Sequence, residues 1–278
     1  MPNPLEIDLI PWDHTSEAHV TRMTAQREAC GWAASEVVPS WVPRAEKGLK
    51  IMFWVALADS FPDREEFLQA HKDRFPDETN PLKDTAQSLN LVPREPSGAD
   101  FVPVGHVALN KGPTPDLEGH VDGLLPEEGV YWITSLFISP SIQRRGLGRN
   151  VMSHVESLVA TPNKDTQEAA LSGTTIALDT PPKEWQVSNW AKENWWDPLN
   201  LPMPKVSLFF LSRDISYLPL SVQSQELNDR VEPQISNLEW YQQQGYSVFA
   251  ELPDHRPAPM PNGSMVNVPL CLLKKIVR

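Results

Sequence analysis

Residues 131–160 read YWITSLFISPSIQRRGLGRNVMSHVESLVA, and three kinds of local chemistry follow one another along them. From Val130 to Ser139 the side chains are aromatic and β-branched, the composition of a strand, and Pro140, which has no amide to give, ends it. A short turn leads to Gln143-Arg144-Arg145-Gly146-Leu147-Gly148. From Gly146 to Ala160 apolar residues recur every four positions at Leu147, Val151, Val155 and Val159, flanked by Met152 and Leu158. Arg149, Asn150, Ser153 and Glu156 fall mostly off that stripe, so the segment is an amphipathic helix with one face on a core. The junction of strand, glycine turn and helix is an anion site. A first helical turn has amides without intrahelical partners, the macrodipole adds partial positive charge, and glycine lets the backbone approach a diphosphate. Arg144, Arg145 and Arg149 add formal positive charge there.

Further strands are read at Lys50–Asp59, at 101–110 with the regular part beginning after Pro103, at 174–180, at 247–252 and at 268–277. Helices are read from Thr15 to Trp32, with His14 and His19 as surface residues, and from Ile235 to Gln244, closed by Gly245 as a left-handed cap. Strands alternating with helices between residues 100 and 252 imply an α/β sheet. Two stretches stand outside that pattern. Residues 61–100 are charged and proline-containing, a partly helical excursion from the sheet. Residues 182–233 carry Trp185, Trp190, Trp195, Trp196 and the apolar run Val206 to Leu211, an insertion expected to pack on the domain.

The chain of 278 residues has 24 basic and 36 acidic side chains, a net charge of −12. That balance supplies no general field of cations for duplex nucleic acid and attracts cationic small molecules or basic peptides instead. Cys30 and Cys271 have no CxxC spacing, and the seven histidines offer no four-ligand zinc pattern, so neither a disulfide framework nor a metal is expected. The start lacks a basic segment followed by an apolar stretch, and the longest apolar run, Ile51 to Ala58, is too short for a bilayer. The expectation is a single domain over 1–278 in the cytoplasm, with the nucleus left open. Its 28 prolines, about twice the usual share of ~5%, mark ordered loops.

The residues after Gly148 decide among phosphate ligands. A Walker loop needs Gly-Lys-Ser/Thr, and here Arg149-Asn150 come next; the dinucleotide fingerprint needs a small residue where Val151 stands. Gln/Arg-x-x-Gly-x-Gly after a strand resembles the acyl-CoA motif of the GNAT acetyltransferases. Asn237-Leu238-Glu239-Trp240-Tyr241-Gln242-Gln243-Gln244-Gly245-Tyr246 resembles the Tyr-x-x-x-Gly-Phe/Tyr helix end of the same family. The resemblance covers residues 50–60 and 101–277, apart from the insertions. It implies a mixed, mostly antiparallel sheet, flanked by helices and splayed between the parallel strands at 130–138 and 174–179. There the pantetheine arm of acetyl-CoA, the cosubstrate, adds like a strand. By the resemblance, Leu136, Phe137 and Ile138 offer backbone contacts to pantetheine. Gln143, Arg144, Arg145, Gly146, Leu147, Gly148 and Arg149 hold the diphosphate, and Asn237 and Tyr241 lie near the thioester.

The implied reaction is direct acetyl transfer to a primary amine, of a small molecule first and a protein second. An amine of pKa ~10.4 must lose a proton before attack, which costs about 4.6 kcal/mol at pH 7, so a base or water path is needed. Tyr241 would protonate the departing thiolate. Some family members place a carboxylate or histidine eleven residues ahead of the Gln, and here that position is Trp132. His106, Asp179, Glu128 and water stand as candidate bases, each with a plain alternative: a core or surface histidine, a cap on the turn into Pro181, a solvated acid. The missing base leaves room for an acyl-CoA-binding sensor or scaffold without turnover. The Trp-rich insertion has three readings: an aromatic acceptor pocket, a cation–π cage, or a homo-oligomer interface.

Overall fold

Eight consecutive residues, Lys50 to Leu57, form a strand in which every side chain is buried, the pattern of a sheet interior covered on both faces. The computed structural model describes residues 7–143, 145–160, 171–193, 235–259 and 265–277. The chain opens with β1 (Ile7–Pro11), α1 (Glu17–Cys30), α2 (Val42–Glu46) and β2 (Lys50–Leu57), followed by α3 (Arg64–Arg74). Four two-residue strands come next: β3 (Leu82–Lys83), β4 (Ser88–Leu89), β5 (Val92–Pro93) and β6 (Asp100–Phe101). Then come β7 (Gly105–Lys111), β8 (Val130–Ile138), α4 (Leu147–Ala160), β9 (Thr175–Thr180), β10 (Ser247–Pro259) and β11 (Met265–Ile276). The chain divides into two compact units, one of Met1–Asp179, Ser247–Ala250 and Leu272–Arg278, the other of Thr180–Tyr246 and Glu251–Cys271.

The main sheet runs β1-β2-β7-β8-β9-β11-β10. The first four strands pair antiparallel, and β8 with β9 is parallel. This is the mixed, mostly antiparallel architecture expected. One face carries Met52, Trp54, Ala56 and Ala108 against Trp12, Met23, Val37 and Trp41. The amphipathic stripe of α4, Leu147, Val151, Met152, Val155 and Val159, is buried as its spacing required. Each such side chain contributes roughly 1.5–3 kcal/mol through burial.

Two features of β8 position the site. Ala108 pairs with Ser135 and Leu109 with Ile133, so Thr134 is an extra residue on β8, a bulge. Pairing with β9 runs from Val130↔Thr175 to Ile133↔Leu178 and stops there. A bulge bends and twists its strand, and β8 leaves β9 at the bulge. Gly105 lies opposite the far end of β8, where an added Cβ would collide with the Phe137 carbonyl oxygen.

Residues 61–100 hold α3, then the strand pairs β3–β6 and β4–β5. Asp84 clasps the loop by accepting from both terminal nitrogens of Arg94, at 2.6 and 2.8 Å, and from the amide and hydroxyl of Ser97. The last strands run longer than read. β10 continues past Pro253 and Pro257 because it is an edge strand, where a missing amide breaks no interior ladder. At the opposite edge stands β1, five residues long and too short to announce itself by alternation.

His19 corrects the surface reading: it is 1% exposed. Its Nδ1 accepts from the Asp13 amide and the Trp54 indole, each at 3.1 Å, and its Nε2 donates to the Lys83 carbonyl at 2.9 Å. The buried face of α1 is largely polar, His19, Arg22, Met23, Gln26 and Arg27, so it left no apolar period to read. Gln26 spends its amide on Glu78 (2.8 Å) and the Pro103 carbonyl (2.9 Å). His106, fully buried, donates from Nδ1 to Gln26 Oε1 at 2.9 Å and accepts at Nε2 from Arg27 at 3.3 Å.

Both imidazoles are therefore held neutral. Burial lowers the pKa of each; for His106, Arg27 and Lys50 lower it further, while for His19 the Lys83 carbonyl and Asp13 work against the burial. Below about pH 6.5 the unfolded chain takes up protons that these folded imidazoles refuse, so stability falls as pH drops through that region. Urea unfolding should show a loss of stability between pH 7.5 and 5.5. The pH slope should shrink in His106→Gln, and a flat profile in the parent protein contradicts the assignment.

Candidate functional site

The turn after β8 is built from anchored and open residues in alternation. A single 3₁₀ turn, Pro140–Ile142, drives Ile142 into the core at 1% exposure. Gln143 turns back and donates from Nε2 to the Ile138 carbonyl at 2.9 Å. Gly146 sits at φ 82, a left-handed conformation that costs L-residues, and a Cβ there would meet nothing within 4 Å. The Asn150 amide donates to the Gly146 carbonyl at 3.0 Å, opening the helical ladder, so the amides of Leu147, Gly148 and Arg149 precede it. Leu147 is buried and fixes the helix start, whereas Arg145 and Arg149 are exposed. The Arg145 guanidinium lies 5.2 Å from the Phe67 ring centre, on α3. Arg144 lies outside the described residues.

The strand leading into the turn has an open side. Ser139 donates to the Val104 carbonyl at 2.8 Å. Alternation along β8 therefore turns the backbone of Phe137 toward β7 and that of Leu136 and Ile138 away from it. Ile138 has the Gln143 amide on its carbonyl; Leu136 faces the split from β9. Backbone groups that no described residue pairs, as at Leu136, accept an added extended chain.

Of the base candidates, His106 is removed by its partners, since the nitrogen without a proton already accepts from Arg27. Glu128 is exposed, as a solvated acid should be. Asp179 is half-buried, and the register Trp132↔Ala177 puts it on the sheet face of Trp132. Trp132 is fully buried, edge-on to Phe249 at 6.5 Å, with no hydrogen-bond partner for its indole nitrogen among the described residues. Sequence reasoning passed over Lys50, read only as the first residue of its strand. Lys50 Nζ is 3.0 Å from Thr134 Oγ1, 3.4 Å from Asn110 Oδ1 and 4.2 Å from the Trp41 ring centre. Burial, with Arg27 and Arg44 adding to it against Glu36, lowers its pKa to about 7. No spacing pattern announces such a residue; it emerges from cross-strand register and burial.

In the second unit, the helix Asn237–Gln242 begins with a capping box: the Ser236 hydroxyl accepts from the Glu239 amide at 3.2 Å, and the Glu239 carboxylate accepts from the Ser236 amide at 3.0 Å. Glu239 also pairs with Lys183 at 2.6 Å, and the exposed Asn237 donates its amide to Gln186 at 3.1 Å. Gly245, at φ 89, provides the left-handed closure expected. Tyr241 is half-buried, its ring 4.9 Å from Trp240 and 5.8 Å from Tyr246. Trp185 and Trp190 are ring neighbours at 4.9 Å. Trp195, Trp196 and the run at 206–211 lie outside the described residues.

Residues 52–167 match the acetyltransferase (GNAT) family model, the segment that contains the split strand, the Gly146 turn and α4. No curated protein sequence matches the chain. Among solved structures, Arabidopsis thaliana NAA60 in complex with a bisubstrate analogue aligns at 8% identity and TM-score 0.45, covering 97% of each chain. An aminoglycoside 6'-N-acetyltransferase complexed with coenzyme A aligns at 12% identity and TM-score 0.43, covering 99% of this chain and 98% of that one. Spermidine N-acetyltransferase from Vibrio cholerae with CoA and spermine aligns at 8% and 0.43, covering 98% and 96%. A likeness at this level carries no functional argument.

Because a Cβ at Gly146 meets open space but a strained φ, Gly146→Leu should cost about 1–2 kcal/mol in stability and keep the fold. Its side chain would stand over the first-turn amides, so calorimetric titration with CoA should show affinity lost at least tenfold. Unchanged affinity rejects this turn as the diphosphate site.

Proposed function

We propose, on the premise that residues 52–167 match an acetyltransferase family, that this protein moves an acetyl group from acetyl-CoA to a primary amine. The carrying observation is the sequence of open strand, Gly146 turn and helix start, which supports a ligand that has both an extended amide-bearing arm and a diphosphate. In this reading the backbone of Leu136 and Ile138 meets the pantetheine arm, whereas that of Phe137, turned toward β7, does not. Gln143, Arg144, Arg145, Gly146, Leu147, Gly148 and Arg149 surround the diphosphate, with backbone amides as the principal donors. Holding donor and acceptor together removes translational and rotational entropy from the barrier. Asn237 and Tyr241 act at the thioester, Tyr241 giving a proton to the thiolate that leaves. The acceptor is a small-molecule amine, drawn by a net charge of −12, with protein amines second. The whole chain works as one acyl-CoA-binding domain in the cytoplasm, without metal. No helix among the described residues is long and apolar enough to cross a membrane.

A second reading, acyl-CoA binding without turnover, is favoured by one observation: the buried Trp132 at the position where a base would stand. Incubation with acetyl-CoA and a panel of polyamines, an aminoglycoside and a peptide, following free thiol, separates the two. Thiol release supports transfer. Thermal stabilisation by CoA with no thiol from any amine supports the binder, and no stabilisation rejects both. Tyr241→Phe should lower turnover by tenfold or more with CoA affinity within twofold, and equal turnover removes its role as acid.

A further inference from the structure

The sheet face that carries Trp132 also carries a buried amine that the CoA-binding turn does not use. Register places Lys50, Asn110 and Trp132 in one row across β2, β7 and β8. Thr134, the bulge residue where β8 leaves β9, completes the group: its Oγ1 is 3.0 Å from Lys50 Nζ and 3.5 Å from Asn110 Oδ1. Lys50 is 5% exposed and makes no ion pair among the described residues. Its charged surroundings are Arg27 on α1, Arg44 on α2 and Glu36 before α2, with the neutral imidazole of His106 two residues along the same face of β7 from Asn110. Burial makes a protonated Lys50 unfavourable, and two guanidinium groups against one carboxylate add to that. Thr134 is half-buried, the more exposed residue of the pair.

We infer that Thr134 and Lys50 form a relay that takes the proton from the acceptor amine: the Thr134 hydroxyl touches the amine, and Lys50 Nζ holds the proton. The inference rests on the transfer reaction proposed above. As the amine nitrogen attacks the thioester carbonyl carbon, a C–N bond forms and the C–S bond breaks. The amine proton passes to Thr134 Oγ1 while the hydroxyl proton of Thr134 passes to neutral Lys50 Nζ. The CoA thiolate takes its proton from an acid, Tyr241 in the reading above; before the next turnover Lys50 gives its proton to water, and water reprotonates the acid. Nothing is oxidised or reduced. Asn110 and the Trp41 ring position the Lys50 ammonium that results, one by a hydrogen bond and the other by its π face.

A purely structural Lys50 would fill space against Trp41 and leave the pH dependence of the reaction untouched. Turnover of the full-length protein at saturating acetyl-CoA should instead rise with pH through a limb centred near 7, where Lys50 loses its proton. Lys50→Met and Thr134→Val should each cost about 100-fold in turnover and abolish that limb, with the thermal shift by CoA retained. Thr134→Ser should restore most of the rate and the limb, and the Thr134 pair carries the test if Lys50→Met fails to fold. Wild-type thiol release together with an undiminished rate and limb in both variants overturns the relay and leaves acetyl transfer standing. Absence of thiol release from the wild type overturns the transfer reading itself and the relay with it. Independently, the ¹³Cε resonance of Lys50 should titrate near neutrality, and a midpoint near the ordinary ~10.4 overturns the relay whatever the rates.

Discussion

A strand has two rows of backbone donors and acceptors, and β8 pairs with β7 on both sides of its bulge but with β9 only as far as Ile133. The rest of the candidate site depends on that half-finished pairing. Adding Thr134 to β8 without a counterpart on β7 bends the strand, and the bend carries it off β9 at the same residue. The strand then ends at Pro140, the buried Ile142 pins the turn, and Leu147 pins the start of α4. The open row of β8 and the first-turn amides of α4 are thus consecutive in the chain, one suited to an extended amide-bearing arm and the other to an anion. A small number of covalently adjacent residues supplies both halves of the candidate site, which is why one short stretch of sequence could suggest it.

What was legible depends on which physical signals are local. Pro140, the two glycines and the four-residue period of Leu147 to Val159 report on their own neighbourhoods, and strand, turn and helix stand where they were read. Gly245 likewise announced its positive φ. The bulge was not legible, because an extra residue on β8 exists only relative to β7. The burial of α1 was not legible either: His19, Arg22, Gln26 and Arg27 are polar side chains whose partners lie about 50 to 80 residues away in Glu78, Asn80, Lys83 and His106. Polar burial of that kind leaves no hydrophobic period, and it inverted the reading of His19. β10 escaped in part because proline is a break signal in a central strand and a tolerated residue at an edge.

Charge shows the same division between global and local. A chain at −12 collects positive charge beside its sheet, with Arg27 and Arg44 acting on Lys50 and, among the described residues, Glu36 opposing them. His106, between Arg27 and Gln26, is kept neutral by geometry that leaves it no acceptor lone pair to spare. The acidic exterior governs which ligands approach, while the interior governs which groups can take a proton, and the two need not share a sign.

Trp132 and Lys50 are connected through that interior. They occupy the same row, two strands apart, which is roughly 10 Å at a strand spacing of about 4.8 Å. A carboxylate in place of Trp132 would attract the Lys50 ammonium by about 1.7 kcal/mol at an effective dielectric of 20, raising the lysine pKa by more than one unit. It would also demand hydration that would loosen the packing of Lys50 against Trp41. An indole does neither. It excludes water, leaves the ammonium without an acid, and so favours the neutral amine that burial and the two arginines already favour. The side chain that removes a proton acceptor from β8 is, by its size and neutrality, one that keeps another available on β2.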